Sequence, residues 1–438
     1  MEIRRDFYLN QLIRSMHNGM VKVITGIRRC GKSYLLDPLF KDYLLSTGVS
    51  ETKIIKIDLS DAKNSDLVNP LELDKYIRGK INKTDAFYLF IDEIQLCKSL
   101  DNPAFDGFKT SDGSIPQITF YQVLNGLLSD YKNVDVYVTG SNSQLLSHDI
   151  LTDFRGRGWQ IRLAPLSFTE YASAKPTMDK RTAFEEYLTY GGMPGMVCYG
   201  MVQDKTRYLA NLLEETYFKD IIERNNLKQN SLIKELAEVL ASSEGSLISI
   251  NKIIELFKQR EDKSIGRETI DKYIDAFKNA FLIEDVERYN IRGGKIIAAS
   301  KKYYFSDCGL RNSLLSFKQY DRGHLMESVI YADLKRRGYV VNVGIIPVNE
   351  IGENGREETK QYEVDFIATS GNEKLYIQSA YRIYDEKKMA QETKSLLKIR
   401  DSFKKIIVDG DLYMPYVDER GIKHIGIIDF LLNETNDW

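Results

Sequence analysis

The sequence contains little cysteine and little histidine, which argues against several kinds of site. Four residues of each type occur among 438. Cys30, Cys97, Cys198 and Cys308 form no CxxC pair and have no metal-ligand spacing. Both a disulfide framework and a zinc site are therefore disfavoured, and a reduced, cytoplasmic setting fits best.

Long apolar runs and an excess of one charge sign are also missing. Nowhere do about 18 apolar residues follow one another, which is the length a membrane helix needs. The N-terminal MEIRRDFYLNQLIRS lacks the apolar core of a signal peptide. We therefore expect no membrane association. The formal net charge is −2, so binding to nucleic acid would need a local basic patch.

The first third of the sequence alternates strand-like and helix-like segments, and the length of the chain predicts two or three domains. The apolar runs of strand length are Val21 to Thr25, Lys53 to Asp58, Phe87 to Asp92, Val134 to Thr139 and Trp159 to Leu163. Helix-period residues follow the first run, and Phe120 to Tyr131 is a predicted helix. This alternation predicts an α/β domain with a parallel sheet flanked by helices.

A glycine-containing loop lies between the first strand and the following helix. It reads Gly26, Ile27, Arg28, Arg29, Cys30, Gly31, Lys32, Ser33, and Tyr34 follows it. A P-loop needs glycines where the backbone bends around phosphates, a lysine for the β/γ-phosphates and a hydroxyl for magnesium. A helix that begins near Lys32 would direct its free N–H groups at the phosphates. We predict that these residues bind ATP with Mg²⁺.

Acidic residues follow the third apolar run, where such a site needs them. Asp92 is expected to hold Mg²⁺ together with Ser33, and Glu93 to act as general base on the attacking water. After the next strand, Asn142 or Ser141 is the candidate for contact with the γ-phosphate. The alternative for these two residues is a simple helix cap.

Two arginines, Arg155 and Arg157, lie between glycines in the segment FRGRG. The planar guanidinium suits the charge of a phosphoryl-transfer transition state, either in the same chain or in a neighbouring subunit. The alternative is pairing with surface carboxylates. The sequence leaves the oligomeric state open.

The rest of the chain predicts further modules. Helix-period stretches at Leu232 to Leu240, Ile250 to Phe257 and Glu268 to Phe281 precede an extended segment, Ile283 to Phe305, as in a winged helix-turn-helix. A helix and several strands after residue 321 indicate a separate α/β domain. The predicted parts are 1–175 for the ATPase core, 176–228 for a helical extension, 229–310 for the winged helix and 311–438 for the last domain.

One segment of the predicted wing is strongly basic. Residues 288–302 contain Arg288, Arg292, Lys295, Lys301 and Lys302 and no acidic residue. Such a hairpin could neutralise DNA phosphates, with Tyr289 available for stacking. The alternatives are a solvated charge run and a contact with a protein partner.

Several segments in order resemble a known family, the bacterial and archaeal AAA-type ATPases with a C-terminal domain of unknown function. The segments are GIRRCGKS, FYLFIDEIQ, VTGSNSQLLS, FRGRGWQIRLAPLSFTEY, LTYGGMPGMV, YFKDIIERNN, EVDFIA and YIQSAY. The resemblance covers almost the whole chain. It implies nucleotide and magnesium roles for Lys32 and Ser33, and an arginine role for Arg155 or Arg157.

The last domain is similar to the restriction-endonuclease-like fold. That resemblance implies a metal site with two acidic residues and a lysine on adjoining strands, and it points to Glu327 and Asp365. Gln378 occupies the position where the second acid is expected, and Ala380 the position of the lysine. We therefore expect a nuclease-like fold that has lost catalysis.

Together these features predict an Mg²⁺-dependent ATPase that couples its nucleotide state to movement of the winged-helix and nuclease-like modules, as a switch or regulator. The alternative is a nucleotide-gated protein-interaction adaptor with negligible hydrolysis.

Overall fold

The computed structural model describes residues 3–102, 115–141, 154, 156–225, 227, 230–261, 265–351, 356–383 and 386–433. The chain divides into two compact units. Unit 1 comprises residues 1–164 with 279–281, and unit 2 comprises residues 165–278 with 282–438.

Unit 1 is built on a five-stranded sheet in which every strand pair is parallel. Its strands are β1 (Val21–Thr25), β2 (Ile54–Asp58), β3 (Phe87–Asp92), β6 (Val134–Gly140) and β7 (Gly158–Arg162), in the order β2-β3-β6-β1-β7. Two short strands, β4 (Leu100–Asp101) and β5 (Gln117–Ile118), pair separately. The predicted parallel sheet is confirmed.

Helices pack against this sheet. They are α1 (Asp6–Arg14), α2 (Lys32–Tyr34), α3 (Lys41–Ser46), α4 (Pro70–Lys80) and α5 (Phe120–Asp130), with further turns at Leu35–Phe40, Glu51–Lys53, Ala62–Val68 and Ile94–Leu96. α5 begins at a capping box between Thr119 and Gln122. Leu124 and Leu127 of α5 are buried with Leu89 of β3 and Val136 of β6 in one apolar core. That packing fixes the strands whose ends carry the candidate site.

Unit 2 begins with a series of helices. They are α6 (Phe168–Ser173), α7 (Lys180–Tyr190), α8 (Val202–Asn211), α9 (Lys219–Asn225), α10 (Asn230–Ser242), α11 (Ile250–Glu261) and α12 (Arg267–Asn279), with turns at Pro194–Cys198 and Leu212–Phe218. A hairpin of β8 (Ile283–Asn290) and β9 (Lys295–Phe305) follows. Ile248, between α10 and α11, exchanges backbone hydrogen bonds of 2.9 and 3.1 Å with Lys301 of β9.

The remainder of unit 2 completes a mixed eight-stranded sheet. The later elements are α13 (Cys308–Leu314), α14 (Arg322–Arg336), β10 (Val340–Ile351), β11 (Glu357–Ser370), β12 (Glu373–Ala380), α15 (Glu386–Leu397), β13 (Lys404–Asp409), β14 (Tyr416–Val417), β15 (Lys423–Gly426) and α16 (Ile427–Leu432). The order is β14-β15-β13-β12-β11-β10-β8-β9. Because β8 pairs with β10 in parallel, one sheet extends across the predicted boundary at residues 310 and 311.

None of the helices in the described ranges combines the length and the apolar character needed to cross a membrane.

Candidate nucleotide-binding site

The loop of residues 26–31 joins the end of β1 to the start of α2 and turns sharply. Gly26, Arg29 and Gly31 have positive φ angles of 148°, 62° and 98°. A Cβ atom on Gly26 would lie 2.1 Å from the carbonyl oxygen of Leu163, just after β7. Only glycine fits at position 26 without a backbone shift.

Lys32 is buried at the first position of α2. Its Nζ donates hydrogen bonds to the carbonyl oxygens of Gly26 at 3.1 Å and Ile27 at 3.2 Å. The ammonium therefore lies across the loop, where a phosphate oxygen could replace either carbonyl as acceptor.

Cys30 faces the protein and not the concave side of the loop. Its Sγ donates to the carbonyl oxygen of Leu163 at 3.4 Å, and its own carbonyl accepts from Arg5 Nη1 at 3.2 Å. Arg5, which is buried, also donates to the carbonyl oxygen of Ala164 at 2.7 Å. Arg5 thus holds the loop from behind, a role that sequence reasoning missed because its partners lie 25 and 159 positions away.

The remaining predicted loop residues differ in their surroundings. The hydroxyl of Tyr34 accepts a hydrogen bond from the backbone N–H of Ile3 at 3.4 Å. Tyr34 therefore contacts the N-terminal segment, and its contact with nucleotide stays a prediction. Arg28 is half-buried and Arg29 is exposed, so Arg29 is open to a ligand at the loop.

The structure brings Ser33 and Asp92 together at the carboxyl edge of the sheet. Ser33 Oγ donates to Asp92 Oδ2 at 2.6 Å, and Thr139 Oγ1 donates to Asp92 Oδ1. Burial raises the pKa of Asp92, while the hydrogen bonds from Ser33 and Thr139 oppose this rise. A carboxylate with a neighbouring hydroxyl is an all-oxygen donor set that suits Mg²⁺. Thr139 was missed from the sequence because its role follows from the pairing of β3 with β6.

Glu93 directly follows this carboxylate and has a left-handed backbone with a φ of 52°. Its N–H donates to Thr139 Oγ1 at 3.0 Å. Its Oε2 accepts from Ser141 Oγ at 3.2 Å and from Gln95 Nε2. Gln95 is a third residue that sequence reasoning missed, although it belongs to the segment FYLFIDEIQ. Ser141, one of the two candidates after β6, therefore lies beside Glu93.

Two predicted site residues, Asn142 and Arg155, lie outside the described residues. Arg157 is described, and the structure does not bring it to Lys32. The backbone oxygen of Arg157 accepts from Val21 N at 2.8 Å, and its Nη1 donates to Ser129 Oγ at 3.0 Å. Val21 begins β1, whereas the loop follows the end of β1. Arg157 therefore lies at the edge of the sheet opposite to the loop, and its role toward phosphate stays a prediction.

The predicted basic hairpin is less open than its sequence indicates. Lys302 is buried and paired with Glu327 and Glu363. Lys301 forms an ion pair with Asp285. Tyr289, predicted to stack on bases, packs against the apolar core of the eight-stranded sheet. These ion pairs could not be predicted from the sequence of the hairpin, because every acidic partner lies outside residues 288–302. Arg292 and Lys295, on either side of the turn, are exposed.

Comparison with solved structures gives only weak likenesses. A chain of the Aeropyrum pernix Orc1 protein in complex with DNA is 10% identical, with 72% of this chain and 93% of that chain covered and a TM-score of 0.30. AMPPCP-bound DnaA from Aquifex aeolicus is 13% identical, with 63% and 75% covered and a TM-score of 0.27. These values support no inference about the function of this chain.

Comparison with protein families is more informative. An AAA domain family matches residues 18–172. A domain of unknown function, DUF8612, matches residues 181–321. The AAA match contains the loop, β3 with its acidic end, and β6.

Two relatives extend the likeness over most of the chain. An uncharacterized protein MJ1544 of Methanocaldococcus jannaschii is 29% identical over 383 residues, which are 84% of this chain and 76% of that protein. An uncharacterized protein of Haemophilus influenzae is 30% identical over 436 residues, with 98% of both chains covered. The chain therefore belongs to the same family as the Haemophilus influenzae protein, and its N-terminal part is an AAA domain of the P-loop NTPase type.

Proposed function

We propose that this protein is an Mg²⁺-dependent ATPase whose nucleotide state changes the conformation or binding of unit 2. The observation that carries the proposal is the hydrogen bond of 2.6 Å between Ser33 and Asp92, with Lys32 next to Ser33 on α2. The loop amides and Lys32 would hold the β- and γ-phosphates, and Ser33 and Asp92 would hold Mg²⁺. The metal would neutralise charge that develops on the phosphates.

Glu93 is the proposed general base. It follows Asp92 at the same sheet edge, and its Oε2 is held by Ser141 and Gln95. From that position its carboxylate would orient the attacking water and accept its proton. Arg155 stays a proposed charge-stabilising residue, and Arg157 could serve that role only toward a neighbouring subunit.

The modules of unit 2 are the proposed output. Helices α10 to α12, the β8–β9 hairpin and the bridge between Ile248 and Lys301 support assignment to a winged helix-turn-helix. The order of α14, β10, β11 and β12 supports a nuclease-like module. We assign DNA contact to Arg292 and Lys295 at the hairpin turn, because these two residues are exposed whereas Lys301 and Lys302 are paired with carboxylates.

A second candidate function is a nucleotide-gated adaptor with negligible hydrolysis. The contacts of Glu93 favour it, because a carboxylate oxygen that accepts from both Gln95 and Ser141 is less free to accept a proton from water. Gln95→Leu distinguishes the candidates. If the protein is an adaptor whose Glu93 is held inactive by Gln95, this replacement should raise ATP turnover without changing the affinity for ATP. If the Gln95 contact positions Glu93 for catalysis, the replacement should lower turnover.

The direct test is steady-state ATP turnover by the full chain with Mg²⁺, alone and with single- or double-stranded DNA. Glu93→Gln should bind ATP with wild-type affinity and turn over at least about 100-fold more slowly, the range for loss of a general base. Glu72→Gln, on α4, is the matched control, because Glu72 pairs with Lys75 at 3.8 Å and lies outside the candidate site. Equal turnover by Glu93→Gln and wild type would remove Glu93 from the mechanism. Absence of turnover in both proteins, with ATP bound, would establish the adaptor.

A further inference from the structure

Unit 2 contains a buried lysine surrounded by carboxylates from other elements. The side chain of Lys302, on β9, is only 3% exposed. Its Nζ lies 3.2 Å from Glu327 Oε2, 2.8 Å from Glu363 Oε1 and 3.9 Å from Asp365 Oδ1. Glu327 belongs to α14, and the other two carboxylates belong to β11. We call these four residues the Lys302 cluster.

A β-bulge places Asp365 in the cluster. Along the pairing of β10 with β11, Asn342 faces Ile367 but Gly344 faces Val364, so that Asp365 and Phe366 together oppose a single residue. Such a bulge redirects side chains at the point where it occurs. Asp365 Oδ2 then accepts from the backbone N–H of Ser379 at 2.8 Å.

Gln378 and Ala380, at the positions where the nuclease resemblance expects the second acid and the lysine, lie outside the cluster. The Gln378 amide is 3.4 Å from Glu392 Oε2, and its oxygen is 3.4 Å from Ser395 Oγ. Both partners are on α15. Ala380 is buried in the apolar core of the sheet. The lysine beside Asp365 therefore comes from β9, in the basic segment of residues 288–302, for which DNA contact was one of the predicted alternatives.

The charges of the cluster do not balance pairwise, because one ammonium faces three carboxylates. Burial raises the pKa of Asp365 and of Glu327, and the charge of Lys302 opposes both rises. For Lys302, burial lowers the pKa, but the attraction of Glu327, Asp365 and Glu363 outweighs it and the pKa is raised overall. Lys302 thus stays charged, and its three N–H donors match three acceptor groups in number.

We propose that the Lys302 ammonium takes the place of a divalent cation among Glu327, Glu363 and Asp365. The distances of 2.8 to 3.9 Å suit an ammonium and exceed the roughly 2.0–2.6 Å of Mg²⁺–oxygen or Ca²⁺–oxygen bonds. Across the described part of the chain, no group of three or more His, Cys, Asp or Glu residues is placed to hold a metal ion. The cluster therefore ties β9 to α14 and β11 without metal.

If the proposal is right, removal of the Lys302 ammonium should convert the cluster into a metal-binding site. Without the ammonium, three carboxylates would face one another, those of Glu327 and Asp365 largely buried and that of Glu363 36% exposed. Their repulsion would favour entry of a dication that they can ligate. Lys302→Ala should therefore create a Mn²⁺ site in the full chain. Lys301→Ala is the matched control, because Lys301 is the preceding residue on the same strand and pairs with Asp285 instead.

The experiment measures Mn²⁺ binding by calorimetry and thermal unfolding in Mn²⁺ or EDTA, without nucleotide. Lys302→Ala should bind one more equivalent of Mn²⁺ than wild type or Lys301→Ala, and adding Asp365→Asn should remove that equivalent. The midpoint of thermal unfolding of Lys302→Ala should be several degrees higher in Mn²⁺, at about 100 times Kd, than in EDTA. Since the P-loop residues are the same in all variants, the difference reports on the cluster and does not depend on ATPase activity.

Two results would overturn the proposal. One is Mn²⁺ binding by the wild-type chain that Asp365→Asn abolishes, because the cluster would then be a metal site despite Lys302. The other is a folded Lys302→Ala that binds no additional Mn²⁺. If Lys302→Ala folds only with Mn²⁺, the proposal is supported. If it folds under neither condition, Lys302→Met, which keeps the aliphatic stem, takes its place, and failure of that variant to gain Mn²⁺ binding or Mn²⁺-dependent folding also overturns it.

Discussion

Gly26 lies where β1 meets the phosphate loop, and its missing side chain is part of the loop geometry. Its φ of 148° is in a region that residues with a side chain rarely adopt. The site for a Cβ atom is also filled by the carbonyl oxygen of Leu163, 2.1 Å away. Replacement would therefore disturb both the loop and the segment that follows β7.

Gly26→Ala should destabilise unit 1 by about 2–4 kcal/mol, from backbone strain and the forced shift together. Gly79→Ala is the control, because Gly79 lies within α4 and, among the described residues, no atom outside its own stretch of helix lies within 4 Å of its Cβ position. This control should be neutral or stabilising by up to about 1 kcal/mol. Urea unfolding followed by Trp159 fluorescence, in a Trp438→Phe background, measures both. Equal midpoints for the two variants would contradict the predicted clash.

The site residues that could be predicted from the sequence are those identified by a short motif or by their position at the end of a strand. The strand, loop and helix order placed Lys32 and Ser33, and the end of an apolar run placed Asp92. Gln95 and Arg5 were missed because their contacts depend on how the loops fold around the site. Such contacts leave no periodic pattern in a single sequence.

Among the elements, the junction between α7 and α13 depends on one buried carboxylate. Asp307 caps α13, accepting from Leu310 N at 3.0 Å, and also accepts from Gly192 N at 2.6 Å. Gly192 in turn accepts from Leu166 N at 2.7 Å. The segment LTYGGMPGMV therefore contains glycines because other backbone and the Asp307 side chain approach them closely.

Asp307 makes the stability of unit 2 depend on pH. Burial raises its pKa to about 6, although the backbone N–H donors oppose the rise. The folded state then binds this proton more tightly than the unfolded state, so stability is greatest below about pH 4 and is lost as pH rises through 6. Relative to Asp307→Asn, the wild type should lose roughly 3 kcal/mol of unfolding free energy across that range.

Urea unfolding of both proteins between pH 4 and 7 checks this prediction. Asp321→Asn replaces the largely exposed capping carboxylate of α14 by an amide that can still accept the same N–H bonds, and it should give a profile parallel to that of the wild type. A wild-type advantage over Asp307→Asn that grows as pH rises would have the wrong sign for a buried carboxyl.

The elements themselves were largely predictable, but their pairing was not. Helix-period stretches indicated α10 to α12, and apolar runs indicated the strands of unit 1. The parallel pairing of β8 with β10 joins segments more than 50 positions apart, and Lys302 of β9 is buried beside carboxylates of α14 and β11. Because lysines are mostly exposed in folded proteins, the sequence predicts a continuous basic surface on the hairpin, and the burial of Lys302 interrupts it.

For the molecule as a whole, the net charge of −2 provides no overall attraction to DNA, so any DNA binding must depend on local cations. If Arg292 and Lys295 contact phosphates, Arg292→Ala with Lys295→Ala should reduce the slope of log K against log salt concentration by about 2. Lys301→Ala should leave the slope nearly unchanged, because Lys301 is paired with Asp285 and Glu287. Titrations of labelled duplex DNA from 50 to 200 mM salt test both. A slope unaffected by the double replacement would move DNA contact away from the hairpin.

Coupling between the two units has a thermodynamic signature that requires no knowledge of the path between them. If ATP bound in unit 1 changes the affinity of unit 2 for DNA by some factor, DNA must change the affinity for ATP by the same factor. We expect a factor of about 5–150, measured with Glu93→Gln so that hydrolysis does not disturb the equilibrium. Lys32→Ala should abolish the effect of ATP while leaving DNA affinity in the absence of nucleotide unchanged.

Two unequal factors would show that a third equilibrium, such as self-association, is linked to one of the ligands. Factors of one in both directions would mean that the nucleotide state is read by a partner other than DNA, as the adaptor function requires.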